Sequence, residues 1–103
     1  MAQFEIYRNP GMKHVEIPFL VAVQNDHITS RTGATVVIPL RSNAQPVEIM
    51  APFVEVEGHG RYVLSADEIF TIDTSRLKIP VGVLSLNDRA KIRSAIDKIL
   101  GDY

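Results

Sequence analysis

The sequence predicts a compact, mainly antiparallel β-sheet or small β-barrel with one α-helix at its C-terminal end. Several short segments alternate between apolar and polar residues, which is the period expected of half-buried strands. Turn signals that contain glycine or proline separate these segments. One long segment, residues 85–100, has helical periodicity instead. Because a sheet has to bury one face against another element, we expect this helix to cover it.

The first two strands are predicted on either side of a turn. Residues 3–8 alternate strictly, and residues 9–11 form a turn signal in which proline presets φ and glycine permits positive φ. Residues 12–16 are expected to be a loop or a ragged hairpin arm. Residues 18–24 are nearly all apolar and β-prone, which predicts a central strand that is covered on both faces.

The next buried strand lies between two polar segments. Residues 25–33 predict an exposed loop, residues 34–38 predict a buried strand that stops at Pro39, and residues 41–46 predict a second polar loop. The two loops supply an arginine and several hydroxyls that we expect could meet at one end of the sheet: Ser30, Arg31, Thr32 and Arg41. Such groups suit a phosphate, although two ordinary hydrophilic loops remain an equal alternative.

The second half of the sheet is predicted as a hairpin followed by one more strand. Residues 52–57 alternate, residues 58–60 turn the chain, and residues 61–64 return. Residues 68–73 alternate again, and Asp73 is expected to cap backbone N–H groups in the turn that follows. Residues 78–83 are expected to be a linker or a short strand.

The C-terminal helix has an apolar stripe and recognisable ends. The stripe consists of residues at i, i+3, i+4 and i+7: Ile92, Ala95, Ile96 and Ile99. Ser85 precedes Asp88 by three positions, which resembles a capping box. Gly101 follows the last apolar residue, where a glycine adopts the left-handed helix stop at little cost.

Composition limits the function classes. The chain has 103 residues and is expected to form a single domain, residues 1–103. Of its residues, 46% are apolar and 22% charged, which is ordinary for a folded protein. A net charge of -1 gives no reason to expect strong binding to nucleic acid or to membranes. The sequence has no cysteine, no signal peptide and no membrane-spanning run, so a cytoplasmic protein is expected.

The three histidines, His14, His27 and His59, give no metal-ligand spacing, so neither a metal site nor a cofactor is expected. His59 lies between two glycines and is interpreted as a turn residue. His27 lies beside Asp26 in a polar segment, where an acid–base role and simple solvation both remain open.

Segments throughout the first 40 residues resemble the CcdB family of toxins. The resemblance rests on residues 3–11, 18–26 and 36–40, with Pro52, the strand after it and the terminal helix in the expected places. It implies an SH3-like small barrel or curved antiparallel sheet of the CcdB/Kid/MazF type. It also implies a homodimer, with Ile99 near the dimer axis.

Residues 67–77 are similar instead to a stretch of the MazF/Kid ribonucleases, which share this fold. The two resemblances imply one architecture and different targets. CcdB-like toxins poison DNA gyrase by binding its A subunit, whereas MazF-like toxins cut RNA. MazF-like toxins carry an arginine before the proline that starts the second strand; here that position is Ile17, and only Ser42 offers the hydroxyl found after the third strand. The gyrase interpretation is therefore preferred.

The CcdB resemblance implies a type II toxin that has no enzymatic activity, acts in plasmid maintenance and inhibits gyrase through its last three residues. These positions, usually Trp-Gly-Ile in the family, are Gly101, Asp102 and Tyr103. It further implies an antitoxin that co-represses the operon with the toxin and alone contacts operator DNA. The residues expected to contact the antitoxin lie in the loops 9–14 and 41–46: Asn9, Pro10, Gly11, Arg41, Ser42 and Asn43. The alternatives are a MazF/Kid-like endoribonuclease and a non-toxic relative that only binds antitoxin.

Overall fold

The computed structural model describes residues 3–42 and 51–101. The described residues form seven strands and two α-helices: β1 Glu5–Arg8, β2 Phe19–Ala22, α1 Asp26–Thr32, β3 Ala34–Arg41, β4 Phe53–Val56, β5 Gly60–Leu64, β6 Phe70–Asp73, β7 Gly82–Val83 and α2 Leu86–Leu100. Short 3-10 turns, Ala66–Glu68 and Thr74–Arg76, flank β6. This mainly β architecture with a C-terminal helix confirms the predicted fold class. In the described part of the chain, no helix is long and apolar enough to cross a membrane.

Strand β3 is the centre of the sheet. The strands are antiparallel in the order β4-β5-β3-β2-β1-β7, and β6 also pairs with β3. The first half of β3, residues 34–37, pairs with β6, and its end, residues 40–41, pairs with β5. One edge of β3 therefore serves two partner strands in succession, which curves the sheet into a nearly closed barrel.

The prediction that this strand stops at Pro39 is wrong. The backbone oxygen of Pro39 accepts a hydrogen bond from the Ser65 amide at 3.0 Å. The nitrogen and oxygen of one strand residue point to the same edge. The proline nitrogen therefore faces the short interval between β6 and β5, where no ladder hydrogen bond requires an N–H.

Two apolar clusters lie on opposite faces of the sheet. The first joins the sheet to α2 and includes Ile6, Val21, Ile38, Leu40, Ile92 and Ala95. The second includes Tyr7, Leu20, Ala22, Val37, Ile72 and Leu77. Every residue of β2 is buried, which confirms that this strand is covered on both faces.

Helix α2 follows its sequence signals at the start and departs from them at the end. The Ser85 hydroxyl accepts a hydrogen bond from the Asp88 amide at 3.2 Å, as expected for an N-cap. Gly101 has φ -71° and ψ 166°, so the predicted left-handed stop is wrong. The Gly101 amide instead donates to the Asp97 carbonyl at 2.7 Å, and the chain leaves the helix in an extended conformation.

The polar segment 25–33 was expected to be a loop, and that prediction is wrong, because Asp26–Thr32 is helix α1. The Asn25 side-chain oxygen accepts a hydrogen bond from the His27 amide at 2.8 Å, which starts the helix. Gly33, with φ +68°, reverses the chain into β3. These capping groups stabilise a short exposed helix. The helix has no apolar stripe, so hydrophobic periodicity does not predict it.

The expected meeting of Ser30, Arg31 and Thr32 with Arg41 is also wrong. The three residues lie in α1, before β3 begins at Ala34, whereas Arg41 is the last residue of β3. An eight-residue strand extends about 3.3 Å per residue. Segments that precede and follow one strand therefore lie at its opposite ends.

Three further predictions concern the β4–β5 hairpin, the Asp73 cap and the start of β6. The hairpin of β4 and β5 is confirmed, with glycines of positive φ at 58 and 60. Asp73 accepts a hydrogen bond from the Ser75 amide at 3.2 Å, which confirms its capping role. The strand expected from residue 68 begins at Phe70, because Ala66–Glu68 is a 3-10 turn.

The buried side chain of Asp88 links α2 to β4, at the edge of the sheet. The Asp88 side chain, 8% exposed, accepts a hydrogen bond from the Glu55 amide in β4 at 3.0 Å. The Lys91 ammonium lies 3.0 Å from the same carboxylate and donates to the Phe53 carbonyl at 2.8 Å. The Asp88 carboxylate thus accepts a hydrogen bond from the edge strand β4, and the neighbouring Lys91 ammonium compensates the buried negative charge of Asp88.

We expect Asp88→Ala to lower the free energy of unfolding by about 1–3 kcal/mol, because it leaves the Glu55 amide without its acceptor. Asp97→Ala removes an exposed acid from the same helix and is the matched control, with an expected change under about 0.5 kcal/mol. Urea unfolding followed by circular dichroism measures both. Equal midpoints for the two variants would mean that the Asp88 contact does not stabilise the fold.

Candidate functional site

The Arg41 cluster, defined as Glu16, Arg41, Ser42 and Glu68, lies where β3 ends. The Arg41 guanidinium meets the Glu68 carboxylate at two points, with Nε 2.5 Å from Oε1 and Nη2 2.6 Å from Oε2. A second carboxylate oxygen, from Glu16, lies 4.0 Å from Arg41 Nη1. The arginine therefore has one bidentate acidic partner and one looser one.

Core packing and backbone hydrogen bonds position the Glu68 carboxylate. Glu68 ends the 3-10 turn Ala66–Glu68, whose Ala66 is buried in the same cluster as Ile92 of α2. The Ser65 amide ties the start of this turn to the Pro39 carbonyl in β3, and the Glu68 amide donates to the Ser65 carbonyl at 3.0 Å. Glu68 therefore reaches Arg41 from a turn whose start is bonded to β3 and whose backbone is closed by its own hydrogen bond.

The ion pair keeps both partners charged. The Arg41 hydrogen bond holds the pKa of the Glu68 carboxyl below its usual range, with smaller contributions from Ser65 and the charge of Lys13. The same hydrogen bond raises the pKa of Arg41, which also feels the charges of Glu16 and Asp67. The end of β3 thus presents a guanidinium surrounded by acids, and its side chain is about a quarter exposed.

Ser42 joins the cluster to the loop before β2. Its hydroxyl donates to the Val15 carbonyl at 3.1 Å and its amide donates to the Glu16 carbonyl at 3.1 Å. The segment that carries half-buried Ile17 therefore runs beside the end of β3.

The arrangement contains the groups that phosphodiester chemistry uses. Arg41 is a cation that can hold a phosphate, and Glu68 is an ionised carboxylate that can accept a proton. Arg41 and Ser42 are among the residues that the sequence singles out, whereas Glu16 and Glu68 are not. Residues 67–68 alone look like an exposed turn, and only the pairing of β3 with β5 brings them to Arg41.

The first expected antitoxin segment borders the same loop. The Asn9 side-chain amide donates to the Ile17 carbonyl at 2.9 Å, and the Gly11 amide donates to the Asn9 side-chain oxygen at 2.9 Å. Asn9 and Ser42 therefore contact adjacent residues, 15–17, at the end of one loop, residues 12–17. Pro10, next to Asn9, is exposed. Asn43 lies outside the described residues.

The expected target and dimer residues lie at the end of α2. Ile99 is half-buried and packs against the first core cluster. Gly101 is exposed just beyond the helix, and Asp102 and Tyr103 lie outside the described residues.

Among the described residues, no histidine forms a hydrogen bond with a member of the Arg41 cluster. His59 lies in the β4–β5 turn with its ring edge-on to Phe19 at 5.1 Å, which confirms its interpretation as a turn residue. His27 lies in α1. Among residues 3–42 and 51–101, no group of three or more His, Asp or Glu side chains could hold a metal ion.

Solved structures with a similar fold cover nearly the whole chain. An endoribonuclease in complex with its cognate antitoxin, from a mycobacterial species, is 20% identical with a TM-score of 0.82, over 98% of this chain and 95% of that chain. A MazE–MazF complex from Deinococcus radiodurans is 14% identical with a TM-score of 0.79, over 98% and 96%. A further mycobacterial endoribonuclease is 19% identical with a TM-score of 0.72, over 98% and 91%. These likenesses confirm the expected fold of the CcdB/Kid/MazF type.

The neighbours also correct one expectation. The expectation that the protein is not an enzyme is wrong, because two of these structural neighbours are endoribonucleases. No curated protein matches the chain. The family model described as CcdB protein matches residues 3–101, and the chain therefore belongs to the CcdB protein family.

Proposed function

We propose that this protein is the toxin of a type II toxin–antitoxin pair and that it cleaves single-stranded RNA at the Arg41 cluster. The bidentate Arg41–Glu68 ion pair beside Ser42 is the observation that carries the proposal. The family match and the endoribonuclease neighbours, one of them bound to its cognate antitoxin, support it. The charged groups lie at the surface, where a long polymer has access to them.

In the proposed step, the substrate supplies its own nucleophile. Glu68 accepts the proton of a ribose 2′-hydroxyl while that oxygen bonds to the adjacent phosphorus, and the bond from phosphorus to the 5′-oxygen breaks. A proton returns to the departing 5′-oxygen, which leaves a 2′,3′-cyclic phosphate and a 5′-hydroxyl. Arg41 stabilises the negative charge that grows on the phosphate oxygens.

The lowered pKa of Glu68 suits this role once substrate binds. In the free protein, Arg41 stabilises the ionised carboxylate and makes it a weak base. A phosphate that takes over the guanidinium removes this stabilisation, so the pKa of the Glu68 carboxyl rises and the carboxylate becomes a stronger base. Substrate binding would therefore activate the base.

The other members of the cluster have supporting roles. Glu16 is the looser partner of Arg41 and holds the guanidinium near the site while Glu68 is engaged with substrate. Ser42 holds the loop of residues 15–17 against the end of β3, because its hydroxyl and its amide donate to the Val15 and Glu16 carbonyls. Ser42 and Arg41 would thus supply the hydroxyl and the arginine of the MazF-like pattern, although Ile17 occupies the usual arginine position.

We expect Arg41→Ala to lower the rate of RNA cleavage by about 100- to 1,000-fold, the loss seen when one preorganised charge-stabilising group is removed. Arg31→Ala removes an exposed arginine from α1 and is the control, with cleavage unchanged. A fluorescent single-stranded RNA incubated with each purified protein and resolved on a denaturing gel gives the rates. Full activity in Arg41→Ala would place the chemistry elsewhere.

Glu68→Gln tests the base separately, because it keeps the shape of the side chain and removes its ability to accept a proton. We expect cleavage to fall about 100-fold or more. Glu57→Gln, an exposed acid in the β4–β5 turn, is the control. A normal rate in Glu68→Gln would assign the proton transfer to another group.

The A subunit of DNA gyrase is the second candidate target, favoured by the match of residues 3–101 to the CcdB model. Its contacts would be Gly101, Asp102 and Tyr103. We expect a protein lacking these three residues to lose any ability to trap cleaved, linear DNA in a purified gyrase assay. Trapping that survives the deletion would show that the tail is not the contact, and no trapping by the full chain would remove gyrase as a target.

The partners follow from the same assignment. We propose a homodimer with Ile99 near its axis and an antitoxin that contacts Asn9–Gly11 and residues 41–43. The antitoxin neutralises the toxin by covering the loop between these segments, and with the toxin it represses their shared operon through its own DNA contacts. A role in plasmid maintenance would follow for a locus carried on a plasmid.

The Arg41–Glu68 pair also predicts a pH dependence of stability. Because the folded-state pKa of Glu68 is depressed, its contribution is fully present above the unfolded value of about 4.3 and is lost as pH falls through the folded value. We expect wild type to exceed Glu68→Gln in unfolding free energy by less than about 1 kcal/mol at neutral pH, since the pair is partly exposed. Urea unfolding at pH 7 and pH 3 measures the difference, which should shrink at the lower pH; a constant difference would contradict the ion pair.

A further inference from the structure

A groove lies between the N-terminal half of α2 and the residue that precedes β1. We call it the Arg89 groove, and its lining consists of Phe4, Leu86, Arg89, Ala90 and Arg93. It encloses about 330 Å³. None of these residues belongs to the Arg41 cluster, so the Arg89 groove is separate from the proposed cleavage site.

The Arg89 guanidinium is held in a fixed orientation. Its Nε donates to the Leu84 carbonyl at 2.9 Å, and its central carbon lies 5.2 Å from the centre of the Phe4 ring. Leu84 is in turn tied to the start of the chain, because its amide donates to the Phe4 carbonyl at 3.0 Å. No hydrogen bond among the described residues uses the two Nη groups of Arg89. They form the free edge of a preorganised fork, which is the geometry that binds a phosphate through two parallel hydrogen bonds.

Phe4 supplies the ring of this arrangement in a strained backbone conformation. Its φ is +71°, in the left-handed region that an aromatic residue seldom adopts. Two backbone hydrogen bonds hold it there: the Phe4 amide donates to the Ala22 carbonyl at 2.6 Å, and the Phe4 carbonyl accepts from the Leu84 amide. Strain of this kind persists where the surrounding structure enforces it, and it is concentrated at binding sites.

The Arg89 groove carries uncompensated positive charge. Arg93 follows Arg89 by one helical turn, which places their Cβ atoms about 5–6 Å apart. Neither arginine forms an ion pair within residues 3–42 and 51–101, whereas Arg41 is surrounded by the carboxylates of Glu16 and Glu68. A strand that carries a negative charge on every nucleotide is therefore attracted more strongly to the Arg89 groove than to the cleavage site.

We propose that the Arg89 groove binds a phosphodiester of single-stranded RNA outside the cleavage site, with Arg89 and Arg93 on the phosphate oxygens. The choice of RNA rests on the proposed function. An aromatic ring and a guanidinium plane are the surfaces on which unpaired bases stack, and Leu86, 78% exposed, adds apolar surface at the rim. This combination favours a nucleic-acid strand over an acidic peptide.

The two sites are close enough for one strand to occupy both. Phe4 is bonded to Ala22, and Ala22 pairs with Val37, four residues before Arg41. The sites are therefore separated by about 13 Å along β3 and by about 10 Å across two strand spacings. At roughly 3.4 Å per nucleotide, a strand of about 20 nucleotides reaches both sites, whereas a trinucleotide does not.

The test measures binding of a fluorescent 2′-O-methyl RNA of about 20 nucleotides, which cannot be cleaved, by fluorescence anisotropy. We expect Arg89→Ala/Arg93→Ala to bind at least about tenfold more weakly, since each exposed ion pair accounts for up to about fivefold. The slope of log affinity against log salt should become shallower by about 1.4, because two phosphate contacts are lost. Arg31→Ala/Arg61→Ala, which removes two exposed arginines, one of them 4.2 Å from the Phe53 ring centre, should bind like wild type. Equal binding by the two double variants would overturn the proposal.

Three further measurements guard the interpretation. Arg93→Ala alone should weaken binding several-fold, and it keeps the test valid if the loss of Arg89 destabilises the fold, because Arg93 is exposed. Uridine monophosphate that displaces the strand as well as unlabelled RNA does would assign the groove to a free nucleotide. An oligoglutamate that displaces it equally well would assign the groove to an acidic peptide, and either result would overturn the proposal.

Cleavage kinetics distinguish this proposal from that for the Arg41 cluster. In Arg89→Ala/Arg93→Ala, KM for a cleavable RNA of about 20 nucleotides should rise about tenfold with kcat unchanged, and cleavage of a trinucleotide should not change. A fall in kcat at unchanged KM would contradict a role in binding. Loss of RNA binding in this variant, together with full cleavage by Arg41→Ala, would retain the groove and refute the cleavage site. Normal RNA binding in this variant, together with loss of cleavage in Arg41→Ala, would do the reverse.

Discussion

The continuity of β3 through Pro39 is the constraint on which the rest of the structure depends. This strand pairs with β2 along one edge and with β6 and then β5 along the other, so both core clusters and the curvature of the sheet depend on it. The proline is tolerated because its nitrogen faces the interval between two partner strands. Had the strand ended there, Leu40 would leave the main core and Arg41 would have no fixed position beside the 3-10 turn of Glu68.

The same geometry explains why the proposed active site can be both stable and reactive. A bidentate arginine–carboxylate pair is directional. Here the end of β3 carries Arg41 and the hydrogen-bonded 3-10 turn carries Glu68, so the conformational entropy lost when the site binds substrate is limited. The pair is nevertheless at the surface, where ion pairs are weak enough for a phosphate to replace the carboxylate. Buried more deeply, the pair would resist this exchange and the base would stay inactive.

The sequence predicted most strands, the hairpin and α2, because alternation and capping are local signals. It missed α1, whose only signals are a capping asparagine and a glycine stop, and it ended β3 too early, because tolerance of Pro39 depends on which strands lie beside it. The proposed site was predicted only in part. Arg41 was expected to meet the hydroxyls of residues 30–32, which is wrong, and Arg41 and Ser42 were expected as antitoxin contacts. Glu68 looked like part of an ordinary turn until the β3–β5 pairing placed it against Arg41.

The position of Ile17 shows why a shared fold does not determine a shared site. A motif comparison that treats each position separately finds an arginine lost and concludes that RNA chemistry is lost with it. In three dimensions the segment of Ile17 is tied to the end of β3 by the Ser42 contacts, so two neighbouring strand ends can supply the same charge. A reaction requires a cation and a base at a phosphate, and it places no requirement on which strand carries them. The barrel brings several strand ends together, and under the proposed function that convergence would let one fold preserve a chemistry while its residues change places.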